Sequence, residues 1–387
     1  MQGNSSVLDF SAFPDTCFIY YPERVLRDVK SFRSALNCYF PKATLAYSVK
    51  TNSHPAVLNT ILDSGIMAEA VSEAEYSECK RIGFMGDHII YNGPIKSKES
   101  FLRAVEGGSI VNIDSLTELS YLDSITSGNK ARLGVRLNVN LQDVCPEEAT
   151  FEEASSRFGF RVNEEPFKEV TEAFRAHPRL KLSGVHIHRT TRNRSVRFYA
   201  ALARWVGKVI SEYNLKPEYI DFGGGFSAPY PSAPTFNHYA GAMARELRLC
   251  GVNLTDTEII VEPGTAVVAR AFDYLVTVTD VRATSEGTII ITTGTRNHID
   301  PLFKQNSISH ELLRFNNSTD KQVPVQKVEG CTCMEFDCLL TLRNAPALQP
   351  GDKIIFHNVG AYTLSLAPEF IVTLPEVVTI NKNDIHG

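Results

Sequence analysis

Short apolar runs alternate with longer amphipathic stretches between about residue 25 and residue 255. Such a rhythm is typical of β-strands that alternate with α-helices in an α/β fold. The helical pattern is clearest over residues 55–64 and 72–82. The apolar runs predict strands at Thr44–Val49, Met67–Val71, His88–Tyr91, Ile110–Ile113, Arg132–Leu137, Leu182–Ile187 and Tyr219–Phe222, with an eighth near Glu258–Glu262. Eight such units predict a (β/α)8 TIM-like barrel.

The pattern changes after Pro263 to β-branched runs separated by turns. These runs predict strands over residues 272–281, 287–293, 352–356 and 370–375. A short strand candidate near the N-terminus, Cys17–Tyr21, could join them. We therefore expect a barrel domain over residues 26–257 and a mainly β C-terminal domain over residues 258–387, together with residues 1–25.

Composition and charge exclude several classes of partner. The chain is 43% hydrophobic and 21% charged with a net charge of -5, so it has no basic excess for nucleic acid or an anionic membrane. No run approaches the ~20 apolar residues of a membrane helix, and the N-terminus does not resemble a signal peptide. Eight cysteines in 387 residues are too sparse for a disulfide framework. We expect a cytoplasmic protein.

A cluster of three cysteines could in principle bind a metal ion. Cys331, Cys333 and Cys338 lie close together, but no second Cys/His pair stands at the spacing of a zinc finger. No metal site is predicted.

Lys50 stands at the C-terminal end of a predicted strand and directly before a helix. Barrel active sites lie at that end of the strands. Partial burial there lowers the pKa of a lysine and favours the neutral amine that attacks an aldehyde. The alternative is a surface lysine at a strand end.

A glycine run, Gly223-Gly-Gly225, follows another predicted strand. Backbone N–H groups of such a loop can surround an anion such as phosphate, although a glycine turn also occurs for structural reasons alone. The spacing differs from the G-x-G-x-x-G dinucleotide fingerprint.

Ionisable side chains also mark the ends of two later strands. Glu262 could pair with a protonated ring nitrogen of a cofactor, or it could be a solvated glutamate. His186 and His188 alternate on one side of a strand, and His188, nearer the barrel mouth, could stack on a flat cofactor. Metal binding by the two histidines ranks second because no acidic partner has a telling spacing, and His186 could also be a core histidine.

Seven short motifs, in order, resemble the motif series of the fold-type III pyridoxal 5′-phosphate (PLP) decarboxylases, such as the ornithine/arginine and diaminopimelate decarboxylases. The motifs are Tyr47-Ser-Val-Lys50, Ser156-Arg-Phe-Gly159, His186-Ile-His188, Gly223-Gly-Gly225, Glu262-Pro-Gly264, Cys333-Met-Glu-Phe-Asp337 and Gly360-Ala-Tyr362. The resemblance implies an alanine racemase-like barrel, a PLP cofactor and decarboxylation of an amino acid.

The resemblance also implies roles for matching residues. Lys50 corresponds to the lysine that forms a Schiff base with PLP, His188 to the residue stacked on the ring, and Glu262 to the partner of the pyridine nitrogen. The other expected cofactor contacts are Glu69, Thr191, Gly223, Gly224, Gly225, Gly264 and Tyr362.

Cys333 corresponds to an acid that the neighbouring subunit supplies after CO₂ leaves. The resemblance therefore implies a homodimer with shared active sites. Cys331, two residues away, is the alternative acid.

Departures from the family pattern bear on the substrate. Thr265 stands where many relatives have arginine, and Met334 where polyamine-type enzymes have aspartate. The segment Thr292–Ile299 contains no acidic residue to meet a terminal ammonium, which disfavours ornithine and lysine. We expect a diaminopimelate-like or modified secondary-metabolite amino acid. Its expected contacts are Arg192, Arg296, His298, Glu335 and Asp337.

Two other functions use the same fold. An amino acid racemase would use the same lysine and a tyrosine on the opposite face of the ring, and the Cys333 motif and Glu262 argue against it. A non-catalytic binding protein, like the antizyme inhibitors, would not need Lys50, His188 and Glu262.

Overall fold

The structure is a computed structural model, and it describes residues 8–126, 131–149, 156–189, 191, 193–305, 307–315 and 321–381. The chain divides into two compact units. One is Leu26–Val267, and the other combines Met1–Val25 with Val268–Gly387.

The first unit contains a closed barrel of eight parallel strands, which confirms the predicted fold class. Each strand pairs with the next along the chain, and the last pairs with the first. The strands are β2 (Ala43–Ser48), β3 (Met67–Ala70), β4 (Ile89–Tyr91), β5 (Ile110–Ile113), β6 (Arg132–Leu137), β7 (Leu182–Ile187), β8 (Tyr219–Asp221) and β9 (Glu258–Val261). All eight lie within a residue or two of the predicted strands.

Helices follow the strands as the amphipathic pattern predicts. Four of them follow serine N-caps, Ser72, Ser97, Ser115 and Ser195, whose hydroxyls accept the backbone N–H three residues later. Such caps satisfy an otherwise unpaired N–H of the first turn. The helices along this part of the chain are α1 (Pro22–Asn37), α2 (Pro55–Asp63), α3 (Glu73–Ile82), α4 (Lys98–Glu106), α5 (Leu116–Leu119), α6 (Leu141–Val144), α7 (Glu165–Ala176), α8 (Val196–Glu212), α9 (Phe236–Leu249) and α10 (Thr265–Val268).

A tyrosine fills the interior of the barrel. Tyr219 is fully buried in an apolar cluster with side chains of β2, β4, β5 and β9. Two glycines make room for its ring, because a Cβ at Gly134 would lie 2.1 Å from the Tyr219 hydroxyl and one at Gly184 would lie 2.3 Å from its Cζ. The barrel is therefore a packed core rather than a pore.

The second unit is mainly β, also as predicted. Its sheet has the order β12-β15-β10-β11-β13-β14, and β1 pairs with both β10 and β16. The N-terminal strand thus joins this sheet. The elements are β1 (Thr16–Tyr20), β10 (Phe272–Thr284), β11 (Gly287–Thr292), α11 (Arg296–Ile299), β12 (His310–Leu313), β13 (Gln322–Glu329), β14 (Cys338–Pro346), β15 (Lys353–His357) and β16 (Val377–Thr379).

Parts of this sheet differ from the prediction. The predicted strand over residues 370–375 is wrong: Ile371 has a φ of 55°, which is incompatible with extended backbone, and the strand begins at Val377. Strands β12, β13 and β14 were not predicted. Their exposed charged and polar side chains weaken the apolar signal on which strand prediction depends.

The unit boundary also differs from the expected position. We expected the barrel domain to end at residue 257, whereas the compact unit continues to Val267. The reason is that β9 pairs with β8 and β2 and closes the barrel. In the described part of the chain, helices fall short of the length and apolar character that a membrane span requires.

Candidate active site

Lys50 lies just beyond the C-terminal end of β2, in the 3-10 turn Val49–Thr51. Its Nζ is 2.8 Å from Glu69 Oε2 and 2.7 Å from Ser48 Oγ, and Ser48 Oγ donates to the same Glu69 oxygen. The Glu69 carboxylate is almost fully buried, whereas the lysine side chain remains about one-third exposed. A buried carboxylate therefore orients an accessible amine.

Glu262 follows β9 and is also buried. Its Oε1 accepts a 2.7 Å hydrogen bond from Asn92 Nδ2, and the same nitrogen lies 3.2 Å from Glu69 Oε1. Burial would raise the pKa of Glu262, but His186, a hydrogen bond from Asp221 and the charge of Lys50 lower it to about 2. Glu262 is therefore an anion at neutral pH.

Two further ionisable groups surround Glu262. Ligand atoms of His186, Asp221 and Glu262 all lie within 4.8 Å of one another. Burial and the Glu262 charge raise the pKa of Asp221 well above its usual range. The sequence places no acidic residue at a telling spacing from the paired histidines, but the fold brings two carboxyl groups to His186. An imidazole and two carboxyl groups are side chains that can bind a metal ion. In the structure they form a charge network in which Asp221 keeps its proton and Glu262 does not.

His188 and the glycine loop lie side by side. The Gly224 N–H donates to His188 Nδ1 at 3.1 Å. Gly223 has a φ of +62°, and a Cβ there would come within 2.4 Å of the same imidazole atom. Only glycine permits this approach.

The His188 imidazole is neutral. Part of the side chain reaches solvent, but burial of the ring lowers its pKa well below the usual range, and the charges of Arg136 and Lys50 act in the same direction. Its ring is parallel to that of His186, with the centroids 6.4 Å apart. The ring therefore offers a flat, uncharged surface.

Thr191 is buried near the start of α8. Its hydroxyl donates to the Glu148 carboxylate and accepts the Arg194 N–H at 3.1 Å. Glu148 also accepts a hydrogen bond from the Ser195 hydroxyl. Glu148 belongs to none of the motifs recognised in the sequence. Arg192, an expected substrate contact, lies outside the described residues.

The two candidate acids belong to the second unit. Cys333 is exposed, whereas Cys331 is half-buried, and burial raises the pKa of its thiol. Glu335 is exposed. Tyr362 is 38% exposed and has a φ of 58°.

Asp337, expected to contact substrate, is instead buried and accepts four hydrogen bonds. One oxygen accepts the Thr295 hydroxyl and the Arg296 N–H, and the other accepts the N–H and the hydroxyl of Thr332. Asp337 therefore connects the loop of residues 330–337, here called the cysteine loop, to the start of α11.

The two cationic donors expected of α11 have internal contacts. Arg296 Nη2 lies 2.7 Å from Asp300 Oδ2 and 2.8 Å from the Gln305 carbonyl oxygen. His298 is buried, with its Nδ1 2.9 Å from the Tyr274 hydroxyl. Burial lowers the pKa of His298 to about 4. At neutral pH this histidine therefore carries no charge, contrary to the cationic role expected of it.

The residues at the barrel mouth fit PLP. They provide an amine for its aldehyde, an anion for its ring nitrogen, a flat neutral imidazole, and a glycine loop whose backbone leaves no room for a Cβ. This set of groups at the C-terminal ends of barrel strands defines an enzyme of the PLP class.

Comparison with known proteins identifies the family. Residues 23–269 match the model of the pyridoxal-dependent decarboxylases, pyridoxal binding domain. The chain therefore belongs to the PLP-dependent decarboxylases and is a PLP-dependent carboxy-lyase.

Individual relatives are distant. The chain is 25% identical to the L-glutamyl-[BtrI acyl-carrier protein] decarboxylase of Niallia circulans over 96% of this chain and 90% of that protein. It is 24% identical to the diaminopimelate decarboxylase of Helicobacter pylori strain J99, over 93% and 89%.

Solved structures share the fold. The diaminopimelate decarboxylase of M. jannaschii in complex with L-lysine has a TM-score of 0.83 at 20% identity, with 96% of this chain and 88% of that chain covered. The arginine decarboxylase of Paramecium bursaria Chlorella virus has a TM-score of 0.78 at 19% identity, with 95% and 96% covered.

Several polar residues of the site were missed in the sequence. Ser48 and Asp221 are the last residues of strands, Asn92 directly follows a strand, and Asn112 lies within one. A polar residue at the end of an apolar barrel strand is the signal that could have found them, since such positions form barrel active sites.

Proposed function

We propose that this chain decarboxylates a diaminopimelate-like or modified secondary-metabolite amino acid, rather than ornithine or lysine. The catalytic part of the proposal rests on the arrangement of Lys50, Glu69 and Glu262. The accessible Lys50 amine pairs with the buried Glu69 carboxylate, and the Asn92 amide donates to both Glu69 and Glu262. The substrate part rests on the absence of an acidic residue in Thr292–Ile299.

Each residue at the barrel mouth has a task in this proposal. Lys50 would hold PLP, whose conjugated ring would supply an acceptor for the electron pair left by the departing carboxylate. Glu262 remains anionic and so stabilises a positive charge on a ring nitrogen. His188, being neutral, can lie against the ring without opposing that charge.

The phosphate of the cofactor would lie against the glycine loop. The proposed ligands are Gly223, Gly224 and Gly225, with the Thr191 side chain. The positive φ of Gly223 and Gly225 supports this assignment, because successive amides in such conformations form an anion-binding concavity. Gly264 is proposed to support the site through its packing, since a Cβ there would lie 1.8 Å from Thr51 Oγ1.

We propose Cys333 as the acid that returns a proton to the substrate carbon. It is the more exposed of the two candidate thiols. Cys333→Ala and Cys331→Ala should be compared, and the acid is the residue whose loss reduces product formation more. A larger loss in Cys331→Ala would reverse the assignment.

A homodimer with shared active sites is part of the proposal. Leu302, Phe303 and Phe336 are exposed apolar side chains, and the rings of Phe303 and Phe336 contact each other. Exposed apolar patches of this kind mark protein interfaces.

Mixing two inactive variants tests the sharing of sites. If each site combines Lys50 of one subunit with Cys333 of the other, Lys50→Ala and Cys333→Ala should regain about a quarter of the native activity after random exchange of subunits in a twofold dimer. No recovery despite proven exchange would contradict shared sites.

We further propose that the protein acts in the cytoplasm. All eight cysteines, each within the described residues, are free thiols. Free thiols are typical of a reducing compartment.

A substrate panel tests the function itself. CO₂ release should be measured with meso-diaminopimelate, a glutamyl thioester on a carrier protein, ornithine, lysine and arginine, with Lys50→Ala as the control. Release from ornithine or lysine alone would contradict the proposed substrate class, and loss of chirality without CO₂ would indicate a racemase.

A further inference from the structure

A line of buried side chains crosses the barrel interior beneath Lys50. The Tyr219 hydroxyl donates to Asn112 Oδ1 at 2.7 Å, and Asn112 Nδ2 donates to Asn92 Oδ1 at 2.8 Å. Asn92 Nδ2 then donates to Glu262 Oε1 at 2.7 Å and to Glu69 Oε1 at 3.2 Å. All five side chains are at most 3% exposed.

Chemistry fixes the direction of this line. Ionised carboxylates only accept hydrogen bonds, so Asn92 must turn its NH₂ group towards Glu69 and Glu262. Its carbonyl oxygen then faces Asn112, whose own carbonyl must accept from Tyr219. Burial, together with the nearby Asp221, raises the pKa of Tyr219 well above its usual range, so its hydroxyl keeps the proton that it donates.

The Glu69 and Glu262 carboxylates, at the other end of this line, depend on the Asn92 amide for hydrogen bonds. Two buried carboxylates that share one site repel each other, and normally one of them takes up a proton. Here one nitrogen supplies a separate N–H to each, while Lys50 Nζ lies 2.8 Å from Glu69 Oε2 and His186 Nε2 lies 3.7 Å from Glu262 Oε2. A protonated Glu262 could no longer stabilise a positive charge.

We propose that Asn92 is a positioning residue: it donates one N–H to Glu69 beside the amine and one to Glu262, and so keeps Glu262 an anion that faces the ring nitrogen of the cofactor. The role towards the cofactor rests on the proposed function. The effect on the two carboxylates does not, because it follows from the protein's own contacts.

Cofactor affinity provides the first test. Asn92→Ala should weaken PLP binding to the cofactor-free protein about tenfold, the size expected for lost hydrogen bonds to charged groups. Asn92→Ser, which keeps a smaller donor, should lie between this variant and the native chain. The matched control is Asn112→Ala, which removes a buried amide of the same line that touches neither carboxylate, and it should change the affinity less than about threefold.

Acid unfolding of the cofactor-free protein provides the second test. The depressed pKa of Glu262 contributes stability that is present above the unfolded value of about 4.3 and is lost as the pH falls towards about 2. Without Asn92 the folded pKa rises, so the variant should lose less stability between about pH 5 and pH 3 than the native chain and Asn112→Ala.

The outcomes are distinguishable. If the Asn92 variants match Asn112→Ala in both PLP affinity and acid profile, Asn92 only fills space and the inference is wrong. If the native chain does not bind PLP, the proposed function fails, while the acid profiles still decide whether Asn92 keeps Glu262 an anion. Asn92→Ser serves for both measurements if Asn92→Ala does not fold.

Discussion

The barrel mouth and the cysteine loop of the β unit both carry residues singled out in the sequence, but the structure uses them differently. At the barrel mouth, Lys50, Glu262 and His188 converge with polar partners that leave the amine accessible. In the β unit, Asp337, Arg296 and His298 bond mainly to their own surroundings. A residue type at a motif position thus predicts where a side chain lies well where the fold geometry is regular and poorly where loops decide the contacts.

The largest effect should come from the barrel mouth. Lys50→Ala should reduce the rate of CO₂ release on the order of a thousandfold, because covalent attachment and proton transfer both depend on this amine. It should also abolish the visible absorbance that borohydride bleaches. Lys98→Ala, an exposed lysine in α4, should retain both properties. Native-like absorbance in Lys50→Ala would assign the cofactor linkage to another residue.

In the cysteine loop, the next largest effect should be on stability. Asp337→Ala removes the acceptor of four hydrogen bonds from a buried position, and the free energy of unfolding should fall by about 3 kcal/mol. Glu335 is a neighbouring exposed residue, and Glu335→Ala should change the free energy of unfolding little. Chemical denaturation measures both. Unchanged stability with a raised KM in Asp337→Ala would restore the substrate role expected from the sequence.

Substitution of Arg296 also distinguishes a role in stability from a role in substrate binding, with a smaller expected loss of stability. Because its guanidinium bonds to Asp300 and to the Gln305 carbonyl, Arg296→Ala should lower the free energy of unfolding by about 2 kcal/mol. Arg282→Ala is the control, since that arginine pairs only with exposed Asp280 in the described contacts. A rise in KM for the full substrate but not for a truncated analogue, at native stability, would instead support substrate recognition.

The last prediction concerns the dependence of stability on pH. The folded pKa of His298 is about 4, below the unfolded value of about 6.5. The unfolded chain therefore binds the proton first, so the stability contributed above pH 6.5 is lost as the pH falls towards 4. His298→Gln should flatten this part of the stability profile. An unchanged profile would indicate that His298 is protonated in the folded protein.

The regularity of the barrel explains how much of it could be predicted. A strand end in a closed parallel barrel always reaches the same rim, so Lys50, His188 and Glu262 were predicted to converge before any contact was known. The charge states were not predictable, since the low pKa of Glu262 depends on His186, Asp221 and Lys50, which come from three other parts of the chain.

Loops and edge strands follow no such rule. The strand predicted over residues 370–375 was displaced by the backbone conformation at Ile371, and three strands with polar exposed faces were missed. Glu148, which accepts hydrogen bonds from Thr191 and Ser195, has no local signal because its partners lie more than 40 residues away.

The sequence by itself determined the eight-stranded barrel, its mainly β companion and the strand-end residues that suit PLP, because hydrophobic periodicity and short motifs are local properties. Only the tertiary structure decided which carboxylate is charged, which amide lies between Glu69 and Glu262, and which polar residues of the β unit serve stability. Protonation and hydrogen bonding in a buried site depend on the distance between groups far apart in sequence, and that distance exists only in the folded chain.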